Sequence, residues 1–129
     1  MKKIILPRGK IEQWVEHMQL EKLVRGAFAR VSYSGTYRLA EIVGVKEEPG
    51  KEYELAKVKT NYQLVLKAGK TARQFKISLV SNQEPTQFEF EDMLQARKTS
   101  GSPPITKESV KLKEDEIKRI FELNADQID

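Results

Sequence analysis

The stretch from Gly26 to Val45 constrains the fold most, because it predicts two β-strands joined by a tight turn. Ala27 to Tyr33 is rich in aromatic and β-branched residues, which favour strands. Ser34-Gly35-Thr36 supplies the turn, in which glycine takes a positive φ angle without a steric penalty. Tyr37 to Val45 is a second, more apolar strand. A sheet is therefore expected to form around this hairpin.

Three shorter segments after the hairpin also have strand character: Tyr53 to Leu55, Tyr62 to Leu66 and Arg73 to Leu79. In the last of them, every second residue from Phe75 onwards is apolar, as in a half-buried strand. Residues 57–61 are polar and predict no strand. About five short strands with tight turns indicate a small, strongly bent antiparallel sheet or barrel.

Helical patterns precede the hairpin. Residues 9–16 carry apolar side chains at helical spacing, with Pro7 placed in the first turn. Trp14, the single tryptophan, is predicted to anchor this helix on the sheet. A second short helix is expected from Leu20 to Arg25. Residues 1–6 are predicted to form a flexible tail.

Helical patterns also follow the strands. Thr86 and Glu89 have the spacing of a capping box, in which two side chains satisfy the first backbone N–H groups of a helix. This helix is predicted to end near Lys98. Thr106 is predicted to cap another short helix, and Lys113 to Leu123 carries the pattern of a last one.

The 129-residue chain fits a single domain, residues 1–129, of the α+β class, with N- and C-terminal helices flanking the bent sheet or barrel. It has no cysteine and one histidine, His17, so it lacks a cysteine nucleophile and the ligands of a thiolate zinc site. It contains no nucleophile-elbow or phosphate-cradling glycine motif. No apolar run approaches the roughly 20 residues that span a bilayer. These observations predict a non-enzymatic binding module that needs no cofactor or metal and no membrane.

Positive charge is concentrated in the strand-rich part of the chain. Residues 1–80 contain 16 Lys and Arg against 8 Asp and Glu, whereas residues 81–129 contain 7 against 11. The partner of the basic part is therefore expected to be anionic, such as a nucleic acid, a phosphorylated peptide or an acidic segment. An ordinary solvated, lysine-rich surface is the alternative interpretation.

Three arginines lie in or at predicted strands. Arg30 and Arg38 lie on the two strands of the hairpin, and Arg73 opens a later strand. The planar guanidinium group suits phosphate and carboxylate groups, so these residues predict an anion pocket. The alternative is internal pairing, for example of Arg38 with Glu41. Strand alternation places Lys76 on the face opposite Arg73.

Four segments occur in an order that resembles a known family. A helix with a tryptophan, residues 7–14, is followed by G-x-F-x-R-V at Gly26 to Val31 and by Y-R-L-A-E-I at Tyr37 to Ile42. The fourth segment is R-x-F-K-I-S-x-V-S-N-Q-E at Arg73 to Glu84. This combination resembles the Plus-three domain of the Rtf-type subunit of the polymerase-associated-factor transcription elongation complex, over nearly the whole chain.

The resemblance implies a Tudor-like β-subdomain flanked by helices and a nuclear binding module without catalytic activity or cofactors. Members of the family bind the phosphorylated C-terminal repeats of an RNA polymerase II elongation factor and so recruit their complex to transcribed chromatin. Other subunits of the complex would be partners of the full-length protein. Binding of single-stranded DNA is also attributed to the domain.

The predicted phosphopeptide-binding residues are Arg8, Arg30, Tyr37, Arg38, Arg73 and Leu79. Arg30 and Arg73 match phosphate-contacting arginines of the family, and we expect the two to converge on one exposed pocket. Gln13 stands where the family has a basic residue, and Leu79 where some members carry an aromatic.

Two alternatives to phosphopeptide binding follow from the residues themselves. Single-stranded nucleic acid could bind along the basic sheet surface through Lys10, Arg30 and Lys76, with Tyr33, Tyr37 or Tyr62 as stacking groups. The third interpretation is a structural interaction domain whose arginines are paired internally. Basic residues converging on a pocket would favour the peptide, whereas a track lined by aromatic side chains would favour nucleic acid.

Overall fold

The computed structural model describes residues 4–15, 17, 19–55 and 57–128, except for the side chains of residues 58 and 121–128. Within these residues the chain forms four α-helices, α1 (Arg8–Trp14), α2 (Leu20–Val24), α3 (Gln87–Ser100) and α4 (Lys107–Ile128). It also forms six strands, β1 (Phe28–Tyr33), β2 (Thr36–Glu47), β3 (Tyr53–Leu55), β4 (Val58–Thr60), β5 (Tyr62–Ala68) and β6 (Thr71–Lys76). A short 3-10 helix, Ile77–Leu79, follows β6. None of the described helices is long and apolar enough to cross a membrane.

The predicted hairpin forms one half of the main sheet. Strands β1 and β2 pair antiparallel until Tyr33 lies opposite Thr36, which leaves a two-residue turn. Ser34 and Gly35 in this turn have φ angles of 51° and 81°. Positive φ angles at both turn positions are the signature of a type I′ turn, whose twist matches that of the strands it joins. The hairpin prediction is confirmed.

The main sheet is antiparallel, with the strand order β1-β2-β5-β6, and β3 and β4 form a separate two-stranded sheet. The pairing of β2 with β5 is irregular between Ile42 and Gly44, where an extra residue increases the local twist. Val31 of β1 forms an isolated bridge to Val80, just beyond β6. Strands β1 and β6 are not paired with each other, so the sheet is bent but open. The α+β class is confirmed, and of its two variants the bent sheet is correct and the closed barrel is wrong.

Both faces of this sheet bury apolar side chains. Leu64 and Leu66 of β5 are 0% and 2% exposed. Helix α3 packs across β2, where Met93 is also buried. Helix α1 lies beside the 3-10 helix and buries Ile11 and Trp14. Trp14 is 6% exposed, so its prediction as a core residue is confirmed.

The N-terminal segment departs from its prediction. Ile4 and Leu6 are both 3% exposed and belong to the hydrophobic core. The Leu6 N–H donates a hydrogen bond of 2.7 Å to the Phe28 carbonyl, and Ile5 forms a parallel bridge to Phe28. The prediction of a flexible tail is therefore wrong for residues 4–6, because a short apolar run can pair with an available strand edge. Residues 1–3 lie outside the described residues.

Three other boundaries also differ. The strand predicted from residue 73 to 79 ends at Lys76, because the Ile77 N–H bonds the Tyr53 hydroxyl at 3.0 Å and the backbone then turns. Strand β4 forms in the polar segment where no strand was predicted, by pairing with β3. The two predicted C-terminal helices are one continuous helix, α4.

The start of α3 forms as predicted. Thr86 Oγ1 accepts the Glu89 N–H at 3.1 Å, and Glu89 Oε1 accepts the Thr86 N–H at 3.0 Å, which completes the capping box. The helix ends at Gly101, whose φ angle of 77° is the left-handed conformation common after helices. These two caps fix the ends of α3, and the Glu89 side chain at its start also pairs with Arg30 of β1.

Candidate functional site

Strand register places Arg30 and Arg73 on opposite faces of the main sheet. Arg30 is paired with Leu39, whereas Arg73 is paired with Leu66, which is in turn paired with Ile42. Paired residues share a face and successive residues alternate, so Leu39 and Ile42, three residues apart, point to opposite faces. The prediction that Arg30 and Arg73 converge on one pocket is therefore wrong. Each arginine lines a separate cavity.

The larger cavity, which we call the Arg30 cavity, has a volume of about 390 Å³. Its walls come from the N-terminal segment, the loop of residues 81–86 and the first turn of α3. Ile5 and Phe90 contribute apolar surface, and Ser81 contributes polar surface. The segment that was expected to be a tail thus forms one side of this site.

Arg30 is held rigidly at this cavity. Its Nε and Nη2 donate to the two carboxylate oxygens of Glu89 at 2.7 and 3.1 Å, and its Nη1 donates to Ser81 Oγ at 2.9 Å. The guanidinium carbon also lies 3.9 Å from the centre of the Tyr37 ring. Arg30 is 9% exposed, so its side chain is nearly buried, although the pocket that it lines was expected to be exposed. Three of its five N–H donors are used in these bonds, and two remain.

The pair between Arg30 and Glu89 moves both pKa values toward the charged forms. The hydrogen bond to Glu89 raises the pKa of Arg30, although burial opposes its charge. Burial raises the pKa of Glu89, but hydrogen bonds from Arg30 and the Thr86 N–H outweigh burial and leave this pKa below its ordinary value. Both groups are therefore ionised at neutral pH.

Three other predicted phosphopeptide residues, Arg8, Tyr37 and Leu79, do not line the Arg30 cavity. The backbone N–H of Arg8 donates to the Ser81 carbonyl at 3.2 Å, which brings Arg8 next to the loop that lines the cavity. The Arg8 side chain is 39% exposed and lies 3.9 Å from Glu12. Tyr37 is exposed around its contact with Arg30, and Leu79 is exposed on the 3-10 helix.

The smaller cavity, which we call the Arg73 cavity, has a volume of about 180 Å³ and lies on the other face of the sheet. Arg38, Arg73 and Thr71 contribute its polar groups. The Arg73 guanidinium carbon lies 5.3 Å from the centre of the Tyr33 ring. Phe75 packs edge-on against that ring, with 6.0 Å between the ring centres. Arg38 is 3.5 Å from Asp92, so the internal pairing considered as an alternative occurs with this carboxylate and not with Glu41.

Two of the predicted nucleic-acid residues, Lys10 and Lys76, contact aromatic rings within the domain. Lys10 lies over Trp14 and Lys76 lies over Tyr53, at 5.9 and 5.5 Å from the ring centres. Lys76 pairs with Gln63 and lies on the face opposite Arg73, as alternation predicted. Among the described side chains, no group of three or more His, Cys, Asp and Glu is placed to hold a metal ion.

Sequence reasoning missed three partners that all come from α3: Glu89 for Arg30, Asp92 for Arg38 and Arg97 for Glu41. The capping-box pattern predicts that Glu89 accepts the Thr86 N–H at the start of α3. It does not predict that Glu89 also pairs with an arginine of the sheet. The partners lie 54 to 59 residues from one another along the chain. Their pairing depends on how α3 packs across β1 and β2.

The bent open sheet and the helices at both ends define a small α+β domain with two arginine-lined cavities. The Plus-3 domain family matches residues 1–98. The chain is also 34% identical over 128 residues to the RNA polymerase-associated protein RTF1 homolog of Caenorhabditis elegans. The chain belongs to the Plus-3 domain family, as the motifs predicted. The match to the relative covers 95% of this chain and 21% of the relative, so the chain spans about a fifth of that protein's length.

Proposed function

We propose that this domain binds a phosphorylated peptide from an RNA polymerase II elongation factor through the Arg30 cavity, and that it acts without catalysis. Its membership of the Plus-3 family and its similarity to an RNA polymerase-associated protein support a role in transcription elongation. In this role it works in the nucleus, as part of a longer protein that joins the other subunits of an elongation complex. The phosphopeptide is the contact that brings the complex to transcribed chromatin.

The proposal rests on the position of Arg30 at the cavity and on the N–H donors that it keeps available. Its guanidinium group lines a 390 Å³ cavity, is oriented by Glu89, Ser81 and Tyr37, and retains two N–H donors. A donor that is already fixed loses little conformational entropy when it binds an anion. Hydrogen bonds from a charged donor to phosphate are also stronger than those between neutral groups.

The surroundings of Arg30 supply further attraction for a phosphate and space for a peptide. Thr86 and Gln87 at the N-terminus of α3 line the cavity, where the partial positive charge of the helix favours an anion. The Arg8 backbone N–H bonds Ser81 of the same loop, and we infer that its 39% exposed side chain reaches a bound peptide as a second cation. The apolar surface of Ile5 and Phe90 can pack against the side chains that flank the phosphorylated residue.

The carboxylates of Glu84 and Glu89 also lie at this site and repel a phosphate. Glu89 is neutralised by Arg30, whereas Glu84 is exposed to solvent, which weakens its field. Net attraction of the phosphate therefore depends on the two remaining N–H donors of Arg30 and on the charge of Arg8. We therefore expect binding to need the phosphate and to be of moderate strength.

Calorimetric titration of a phosphorylated and an unphosphorylated repeat peptide tests this proposal. Arg30→Lys keeps the charge beside Glu89 but loses the planar fork, so it should weaken phosphopeptide binding about tenfold. Arg25→Lys is a matched control, because its side chain is 68% exposed. Equal affinity of the parent for the two peptides, or an unchanged affinity in Arg30→Lys, would contradict the proposal.

Single-stranded DNA is the competing ligand, and the geometry favours it less. Tyr33 and Tyr37, predicted to stack on bases, each lie against a guanidinium group instead, from Arg73 and Arg30. Their ring faces are therefore partly occupied. A DNA oligomer that binds more tightly than the phosphopeptide, with an affinity lost on Tyr33→Ala and Tyr37→Ala, would reverse this preference.

A further inference from the structure

We propose that Asn82 is a positioning residue of the Arg30 cavity, which holds the first turn of α1 against the cavity loop and so places Arg8 for contact with the bound phosphopeptide. This inference rests on the proposed function, because it concerns the same ligand at the same site. Asn82 lines the cavity and carries no charge, so it acts through the geometry of the site.

Helix α1 begins without a side-chain cap of its own. The residue at its N-cap position is Pro7, whose side chain has no hydrogen-bond acceptor. The first N–H groups of a helix have no partner within the helix, so they need acceptors from elsewhere. The position of the first turn of α1, which carries Arg8, therefore depends on what packs against it.

The loop that lines the Arg30 cavity supplies two acceptors to this turn. Asn82 Oδ1 accepts the Gly9 N–H at 2.7 Å, across 73 residues of chain, and the Ser81 carbonyl accepts the Arg8 N–H at 3.2 Å. A Cβ atom at residue 9 would lie 3.4 Å from Asn82 Oδ1, so the amide packs directly on the turn. Asn82 thus caps α1 from the loop, as an N-cap residue does from within the same helix.

The neighbour of Asn82 holds Arg30 in place. The Ser81 N–H donates to the Arg30 carbonyl at 2.8 Å, and Ser81 Oγ accepts Arg30 Nη1 at 2.9 Å. Because Ser81 is bonded to β1 and Asn82 to α1, two adjacent residues set the distance between Arg30 and Arg8. A cation whose backbone is already fixed loses less conformational entropy when it binds a phosphate.

The Arg8 side chain is only weakly paired in the free domain. Its Nε lies 3.9 Å from Glu12 Oε2, one turn further along α1. An ion pair of this length at the surface contributes little, so a phosphate can displace it. The contribution of Arg8 to binding therefore depends mainly on where its backbone is held.

A double-mutant cycle tests this inference by calorimetric titration of the phosphorylated repeat peptide. Arg8→Gln should weaken binding about fivefold, and Asn82→Ala about threefold, because a cation on a loosened turn keeps part of its contribution. The double variant should weaken binding about fivefold, as Arg8→Gln alone does, since Asn82 acts through Arg8. Additive losses, about fifteenfold in the double variant, would overturn the inference.

Amide hydrogen exchange of the free domain gives a readout that does not involve the peptide. Exchange at the Gly9 N–H should be several-fold faster in Asn82→Ala, and unchanged in Asn82→Asp, whose carboxylate keeps the acceptor. Unchanged exchange in Asn82→Ala would overturn the inference. The fluorescence of Trp14, at the other end of α1, should stay as in the parent. A change in it would also overturn the inference, because Asn82 would then support the whole helix and not the position of Arg8.

Asn61→Ala is the matched control, because it makes the same substitution between β4 and β5 at a residue that lines neither cavity. Equal losses of phosphopeptide affinity in Asn61→Ala and Asn82→Ala would overturn the inference. Equal affinity of the parent for the phosphorylated and unphosphorylated peptides would contradict the proposed function and this inference with it. A parent that prefers the phosphopeptide, together with additive losses in the double variant, would contradict this inference alone.

Discussion

Each of the two cavities is lined by an arginine of the main sheet, but the two arginines lie in different electrostatic environments. Arg30 is 9% exposed, and Glu89 and Ser81 take three of its donors. Arg73 is exposed, lies over an aromatic ring and has no carboxylate partner among the described residues. The difference comes from α3, which covers one face of the hairpin and brings Glu89 to it. A helix that packs on one face thus makes one arginine a rigid, partly neutralised donor and leaves the other as an open cation.

The largest expected effect concerns the pair between Arg30 and Glu89. Glu89→Ala removes the carboxylate from a nearly buried arginine and also removes half of the α3 capping box. We expect the free energy of unfolding, measured by urea denaturation, to fall by about 3–5 kcal/mol. Asp92→Ala is the control on the exposed side and should cost no more than about 1 kcal/mol. Similar losses in the two variants would mean that the buried pair of Arg30 and the exposed pair of Arg38 contribute equally to stability.

The second prediction concerns which of the two arginines contacts the phosphopeptide. Arg30→Lys should weaken phosphopeptide binding about tenfold, whereas Arg73→Lys should change it by less than about twofold. The reason is that the two guanidinium groups lie on opposite faces of the sheet. Calorimetric titration of both variants with one phosphopeptide measures the difference. If Arg73→Lys also weakened phosphopeptide binding tenfold, both arginines would contribute to one binding site.

The third effect is a pH dependence carried by Glu89. Its pKa is lowered in the folded protein, so the folded state favours the ionised carboxylate. The resulting stabilisation is complete above the ordinary pKa of 4.5 and is lost as the pH falls through the lower folded value. The difference in unfolding free energy between the parent and Glu89→Gln should therefore shrink in this acidic range. If this difference stayed constant from neutral pH down to pH values below 4.5, the charge on Glu89 would contribute nothing to stability.

The smallest effect concerns Asp92. This carboxylate lies 3.5 Å from Arg38, and both side chains are exposed. Asp92→Asn removes one weak exposed ion pair and keeps the side-chain shape, so we expect the free energy of unfolding in urea to fall by less than about 1 kcal/mol. Phosphopeptide binding at the Arg30 cavity should stay unchanged. A larger loss of stability would show that the pair of Asp92 with Arg38 is stronger than its 3.5 Å contact indicates.

The sequence by itself determined the elements that depend on near neighbours. The β1–β2 hairpin follows from alternating side chains and a turn that admits positive φ angles at Ser34 and Gly35. The start of α3 follows from the spacing of Thr86 and Glu89. Burial of Trp14 follows from the apolar face of a short helix. The motifs also identified the family, because their order and spacing are properties of the chain alone.

The tertiary structure decided which arginines share a site. The faces of Arg30 and Arg73 depend on register across three strand pairings, and a shift of one residue in any of them would reverse one face. Glu89 reaches Arg30 across 59 residues, and the N-terminal segment joins the cavity only because it pairs with β1. Local patterns fix the conformation of a segment. Register and long-range ion pairs are fixed by how segments pack, so the separation of the two cavities had no local signal.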